Sequence, residues 1–173
     1  LKTAGVDIDA SYRTSLGNGS LSVRLYANYL DKFETQQFSG APVLDYRGIA
    51  TPLSSVEARP KWSGTLNVNY KVGNFGIFVS EQYVGKMRLA LPGAPSNFAS
   101  DTKINPVWYT DLTMSYNIPA LGGNNEFFLT VNNLFDKDPP LIPANTPGVN
   151  IPTAQSIYDT VGRAYTVGMR FKF

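Results

Sequence analysis

Hydrophobic and polar residues alternate along most of this chain with a period of two, and helical periodicity is nowhere sustained. Alternation recurs in seven segments, at 5–14, 20–32, 61–72, 75–87, 107–118, 126–134 and 161–173, and each predicts a β-strand with one apolar and one polar face. In the first, Val6, Ile8, Ala10 and Tyr12 oppose Asp7, Asp9, Ser11 and Arg13. In the second, Leu21, Val23, Leu25, Ala27 and Tyr29 oppose Ser22, Arg24, Tyr26 and Asn28. Trp62, Gly64, Leu66, Val68 and Tyr70 oppose Ser63, Thr65, Asn67, Asn69 and Lys71, and Trp108, Leu112, Met114 and Tyr116 oppose Tyr109, Asp111, Thr113, Ser115 and Asn117.

The connections alternate between short and long. "SLGNGS" (15–20), "GN" (73–74) and "PALGGNN" (119–125) are tight turns, whereas 33–60, 88–106 and 135–160 are long loops on the opposite side of the meander. Loops beyond about 12–15 residues are uncommon in compact soluble domains. Outer-membrane barrels have this asymmetry, with short periplasmic turns and long extracellular loops. Aromatic residues mark the ends of the apolar stripes. Trp62 and Tyr70, Phe75 and Tyr83, Trp108 and Tyr116, and Tyr165 and Phe173 are each eight residues apart. Eight steps at ~3.3 Å, tilted by ~40°, span ~20 Å vertically, near the ~25 Å apolar band of such barrels. Glu81 shares a face with Phe75, Ile77, Val79 and Tyr83; either it sits near the outer rim or a bulge turns it inward.

Composition narrows the classes. Charged residues are 16% of the chain, low against about 25% in soluble domains. The net charge of +2 and the scattered basic residues give no footprint for nucleic acid. With no cysteine and no histidine, disulfides, Ser-His-Asp and Cys-His catalysis and His-ligated zinc are excluded, and no cofactor or metal is expected. No apolar run approaches the about 18 residues of a transmembrane helix. Asp7 and Asp9, two apart on one face, form no acid–base pair with a third convergent group; they are expected near the periplasmic end of their strand, solvated or facing a plug.

Seven antiparallel strands do not close a barrel, and in hydrocarbon each unpaired backbone group on an open edge costs several kcal/mol. The opening "LKTAGVDIDA" already has strand character. Residues 1–173 are therefore expected to be one segment of a longer chain, with further strands before Leu1.

The residues that carry a family likeness are "VNNLFDKDPP" (131–140) followed by "YDTVGRAYTVGMRFKF" (158–173), together with "WYTDLTMSYNI" (108–118) and "GVDIDASYR" (5–13). They resemble the C-terminal barrel of a TonB-dependent outer-membrane receptor. The resemblance implies a barrel of about 22 strands, of which this chain supplies the last seven, in the outer membrane of a Gram-negative bacterium. It also implies an N-terminal plug with a TonB box and uptake of a scarce solute, of the iron–siderophore, cobalamin or oligosaccharide class, driven by the TonB complex. The implied partners are the lipid bilayer with its lipopolysaccharide, the TonB complex, the solute, and the barrel-insertion machinery. That machinery would read Tyr165, Val167, Met169, Phe171 and Phe173 as an assembly signal. Alternatives are a passive porin-like channel, a soluble β-sandwich binding module and an outer-membrane enzyme, the last disfavoured by the missing histidine.

Within this frame Arg24, Asp111, Arg170 and Lys172 face the lumen; one reading has them line a substrate path, but such charges more often pair with one another or with a plug. "NNLFDKDPP" reads as a strand exit: Asn132, Asn133 and Asp136 bond to nearby backbone, and Pro139 and Pro140 end the ladder. Solute contacts are expected in the loops "LDYRG" (44–48), "KMRLALPGAPSNF" (86–98) and "IPANTPGVNIP" (142–152), at Tyr46, Arg47, Arg88, Asn97 and Asn150.

Overall fold

The computed structural model describes residues 1–50, 58–91, 103–118, 125–142 and 153–171. Seven long strands follow one another in an antiparallel meander: β1 (Lys2–Leu16), β2 (Gly19–Thr35), β4 (Trp62–Val72), β5 (Phe75–Val84), β8 (Val107–Ile118), β9 (Asn125–Asn132) and β10 (Ala164–Arg170). Three two-residue strands lie in the loops. β3 (Leu44–Asp45) pairs with β2 beyond the main wall, and β6 (Met87–Arg88) pairs with β7 (Lys103–Ile104). The expected strands are present. β1 and β2 run longer toward the loops than expected; β5 stops short at Val84, where Gly85 donates one last bond to the Trp62 carbonyl, and β10 starts late, at Ala164, after a bend held by Asp136 and Asp159.

The hairpins β1–β2 and β4–β5 close through two-residue Gly-Asn turns, with Gly17 (φ 58°) and Gly73 (φ 55°) in the left-handed region that glycine enters without steric cost. Such turns fix register, and register fixes faces. Pairing runs without a slip from β2 through β10; the single shift, between Ala4 and Gly5, leaves Asp31 unpaired at the loop end of β1–β2. Apolar positions therefore fall opposite apolar positions in every strand. One row reads Tyr12, Val23, Val68, Val79, Leu112, Val131, Tyr165; the next reads Leu21, Tyr70, Ile77, Met114, Leu129, Val167. The opposite face carries Ser11, Arg24, Asn67, Ser80 and Asp111 in one row. Glu81 has no bulge beside it. It stays on the apolar face between Leu66 and Thr110, one row inside Tyr83–Trp108, and accepts a 2.5 Å hydrogen bond from the Thr110 hydroxyl.

The aromatic residues nearest the loop end form a staircase. Tyr29 pairs with Trp62; Tyr83 with Trp108 lies one row lower, at the level of Gly64; Tyr165 lies at the level of Leu112, four residues further along β8. The fall is thus six residues between the β2–β4 pair and β10. Six residues are ~20 Å along a strand, and the lateral distance across the intervening strands is ~22 Å at ~4.8 Å each. If these rings share one height, the strands tilt by about 40°, within the range of closed barrels.

The apolar face is open: Tyr12 is 63% exposed, Trp108 55% and Val167 63%. Burial is concentrated elsewhere, at the loop end of the polar face. There Val84, Val107 and Tyr109 from the wall meet Ala50, Met87, Leu89, Ile104, Ile142 and Tyr158 from all three long loops. The loops are tied by backbone as well: Ala50 N–H donates to the Arg88 carbonyl and Arg88 N–H to the Gly48 carbonyl, both at 2.8 Å. Arginine at Val79, mid-height on the apolar face, is expected to cost about 2–4 kcal/mol in a bilayer and to deplete folded protein from the outer membrane. Ser80→Lys, one residue on and beside Asp111 on the polar face, should leave that level near the parent's; quantitative blotting of heat-modifiable barrel checks both.

Candidate functional site

The polar face carries a lattice of paired groups. Arg24 forks onto Asp9, Nε to Oδ1 at 3.1 Å and Nη2 to Oδ2 at 2.8 Å, and lies 4.5 Å from the Tyr26 ring centre. Asn28 donates to Asp7 at 2.6 Å. Arg170 pairs with Glu126 and stacks over Phe128 at 4.6 Å, and that ring occupies the space a side chain at Gly168 would need. Asp111 accepts the Asn133 N–H at 2.8 Å. All three described lumen-face charges expected from the sequence thus stand on the polar face and have protein partners; Lys172 lies outside the described residues. The position expected for Asp7 and Asp9 is corrected. The turn end of β1 is Leu16, so Asp9 stands at mid-strand and Asp7 in the half nearer the loops, and neither is left to solvent alone.

Above them is a cavity of about 710 Å³. Asp7, Asp9, Tyr26, Asn28 and Gln82 line its wall side, and Arg59 and Ser156 belong to the loops over it. Arg59 lies 5.0 Å from the Phe33 ring. Arg59 and Gln82 were missed by sequence reasoning. Gln82 was visible as a polar-face position; Arg59 sits in a loop with no period to place it.

Of the expected loop residues, Arg47 and Arg88 line a second and larger cleft, about 1190 Å³, which opens beside Tyr29, Trp62 and Tyr83 on the apolar side. Tyr46 lines neither space; its N–H donates to the Phe33 carbonyl. Asn97 and Asn150 lie outside the described residues. Arg47 is held by its own segment: Nε and Nη2 reach the Asp45 carboxylate at 2.6–3.0 Å, and Nη1 donates to the Asp31 carbonyl. The guanidinium holds the Asp45 carboxyl below the usual aspartate range.

The strand-exit motif is a clasp. Asn133, 2% exposed with φ 48°, donates through Nδ2 to the Lys137 carbonyl and to Asp159, and its Oδ1 accepts the Lys137 N–H. Asp136 (φ 53°) accepts the Arg163 N–H at 3.0 Å, and Asp159 accepts the Val161 N–H. The motif thus ties the β9 exit to the β10 entry, which is the structural role its residues suggested. Nearby, burial pushes the Tyr158 hydroxyl up to about 12. Among the described residues no group of three or more Asp or Glu is placed to hold a metal ion.

A family model described as TonB dependent receptor-like, beta-barrel, matches residues 1–134. The chain belongs to this family. Its two-faced sheet is accordingly a segment of an outer-membrane receptor barrel, with lipid on the apolar face. Receptors and transporters, not enzymes, make up the family. The match ends at Leu134, so β10 lies beyond it. No curated protein matches the chain significantly.

Two expectations follow. Replacing Asn133 by Ala leaves the Asp159 carboxylate and Lys137 N–H short of a partner and should cost about 1–3 kcal/mol, seen as a lower unfolding temperature of the detergent-solubilised barrel. The Asp45–Arg47 fork has a depressed carboxyl pKa, so its contribution is complete above the ordinary aspartate value of about 4 and is lost as pH falls through the lower folded value. Amide protection in residues 43–50, the exchange rate taken relative to the intrinsic rate at each pH, should therefore be flat from neutrality to about pH 5 and fall only below about 4, whereas Arg47→Gln should lower it at pH 7.

Proposed function

We propose that residues 1–173 form the C-terminal barrel segment of a longer receptor, in the outer membrane of a Gram-negative bacterium, that imports a scarce solute with energy from TonB. The observation that carries this reading is the in-phase division of the sheet, apolar toward lipid and hydrogen-bonded polar toward the lumen, in a chain that matches the receptor-barrel family. A plug and the earlier strands belong to the rest of that chain. The solute is of the iron–siderophore, cobalamin or oligosaccharide class. The cavity over Asp7, Asp9, Tyr26, Asn28, Arg59 and Gln82 offers acids, amides, a phenol and a guanidinium, a set suited to a large polar solute rather than an apolar one.

The segment supplies wall, loops and assembly signal. Tyr165, Val167 and Met169 stand exposed on one face of β10, 66%, 63% and 51%; together with Phe171 and with Phe173, which lies outside the described residues, they are the sequence we assign to the insertion machinery.

The test is uptake by cells carrying the full-length gene or its deletion, supplied in turn with labelled solutes of the three classes. Accumulation of one should require both this gene and TonB, and should stop when the proton gradient is collapsed. Accumulation indifferent to TonB would instead indicate a passive channel. In the same strains, removing Phe173 should lower the amount of assembled receptor while leaving solute affinity per receptor unchanged.

A further inference from the structure

The floor of the lumen cavity is made of two adjoining rows of the polar face. Asp7 and Asn28 stand in one row, and Asp9, Tyr26, Thr65 and Gln82 in the next; all six residues line the cavity. Neighbouring strands lie ~4.8 Å apart and these rows ~7 Å apart, so the floor is a close grid of hydrogen-bonding groups. The space above it, about 710 Å³, is of the size that encloses a small organic solute.

Donors and acceptors alternate in this grid. Asn28 gives one amide hydrogen to Asp7 Oδ1 at 2.6 Å, which leaves its second amide hydrogen and Asp7 Oδ2 for a ligand. A hydroxyl both donates and accepts, so a carboxylate beside an amide satisfies it in both senses. Tyr26 carries Arg24 over one side of its ring at 4.5 Å and is still 38% exposed, an amphipathic surface for a ring with C–H groups on its face.

Charge narrows the ligand further. Arg24 matches Asp9 at 2.8 Å, but among the described residues no cation pairs with Asp7, whose only partner is the neutral Asn28 amide. Arg59, the one cation among the described lining residues, stands on the loop side over the Phe33 ring. A carboxylate or catecholate on a ligand can only accept, and on this floor it would meet a like charge, a contact that rejects the wrong ligand.

We propose that this cavity takes an uncharged oligosaccharide, with Asp7 and Asn28 on adjacent hydroxyls, Gln82 on a further one and Tyr26 against the C–H face of a sugar ring, and that Asp7 turns anionic chelates away. The assignment rests on the transport reading above and narrows its three solute classes to one.

The test applies full-length receptor, extracted from outer membranes in detergent, to an array of neutral gluco-, manno- and galacto-oligosaccharides. The best-bound glycan is then compared in solution with the same glycan after oxidation of one primary alcohol to a carboxylate, and with ferric catecholate, ferric hydroxamate and cyanocobalamin. The neutral glycan is expected to bind at least tenfold more tightly than its oxidised form. Asp7→Asn, equal in size but uncharged, should shrink that preference at least fivefold. Asn28→Leu should weaken the neutral glycan at least tenfold, and Ser115→Ala, on the polar face near the turns, should change neither. Gln82→Leu, expected to lose severalfold, serves if Asn28→Leu assembles poorly. Failure to bind any glycan of the array, equal binding of the neutral and oxidised forms, or parental behaviour of these variants overturns the proposal. TonB-dependent uptake of a ferric chelate or cobalamin without glycan binding overturns this inference alone, whereas TonB-independent behaviour of all three classes overturns the transport reading as well.

Discussion

In hydrocarbon a backbone N–H or C=O without a partner costs several kcal/mol, and the rest of this structure follows from that cost. Each strand must pair along its whole membrane-spanning length, so the ladder cannot tolerate the irregularities common in soluble sheets. Side chains alternate, and an odd slip anywhere would turn a lipid-facing row into the lumen. The one register shift lies at Ala4/Gly5, near the loop end, away from the rows that meet acyl chains. The two outermost strands, β1 and β10, each pair on one side only within the described sheet.

Once the ladder fixes the faces, side-chain chemistry divides accordingly. Charges on the polar face are paired across neighbouring strands, as in Arg24–Asp9 and Arg170–Glu126, below the loop-end core. Such exposed pairs are individually weak. Their effect here is geometric, fixing which acids and amides point into the cavity under the loops. Glu81 is the exception that fits the same rule: on the lipid side it is bonded to Thr110 and stands one row from the girdle, where the cost of a carboxyl is lower than at mid-height.

The wall was largely legible in the sequence because a period of two is a local signal. Strands such as 107–118 coincide with β8, and the polar positions of Arg24, Asp111 and Arg170 follow from counting. Counting from the turn at 17–18 would also have placed Asp9 at mid-strand and Asp7 toward the loops. The loop architecture was not legible. Ala50, Met87, Ile104, Ile142 and Tyr158 are far apart in sequence, carry no common period, and meet only because the strands bring three loops over one end of the sheet. For the same reason the sequence did not show that Arg47 is paired with its neighbour Asp45, or that Arg47 and Arg88 line one cleft.

The shared loop core bears on how such a receptor changes over generations. Surface loops ordinarily vary independently, since little depends on them. Here a deletion in one long loop would remove part of the packing surface of the other two, because Ala50, Met87 and Tyr158 contribute to a single cluster. A change of cargo would then require coordinated replacement of several loops, or confinement of variation to residues outside that cluster. The three loops constitute one unit of inheritance laid over a wall of seven strands.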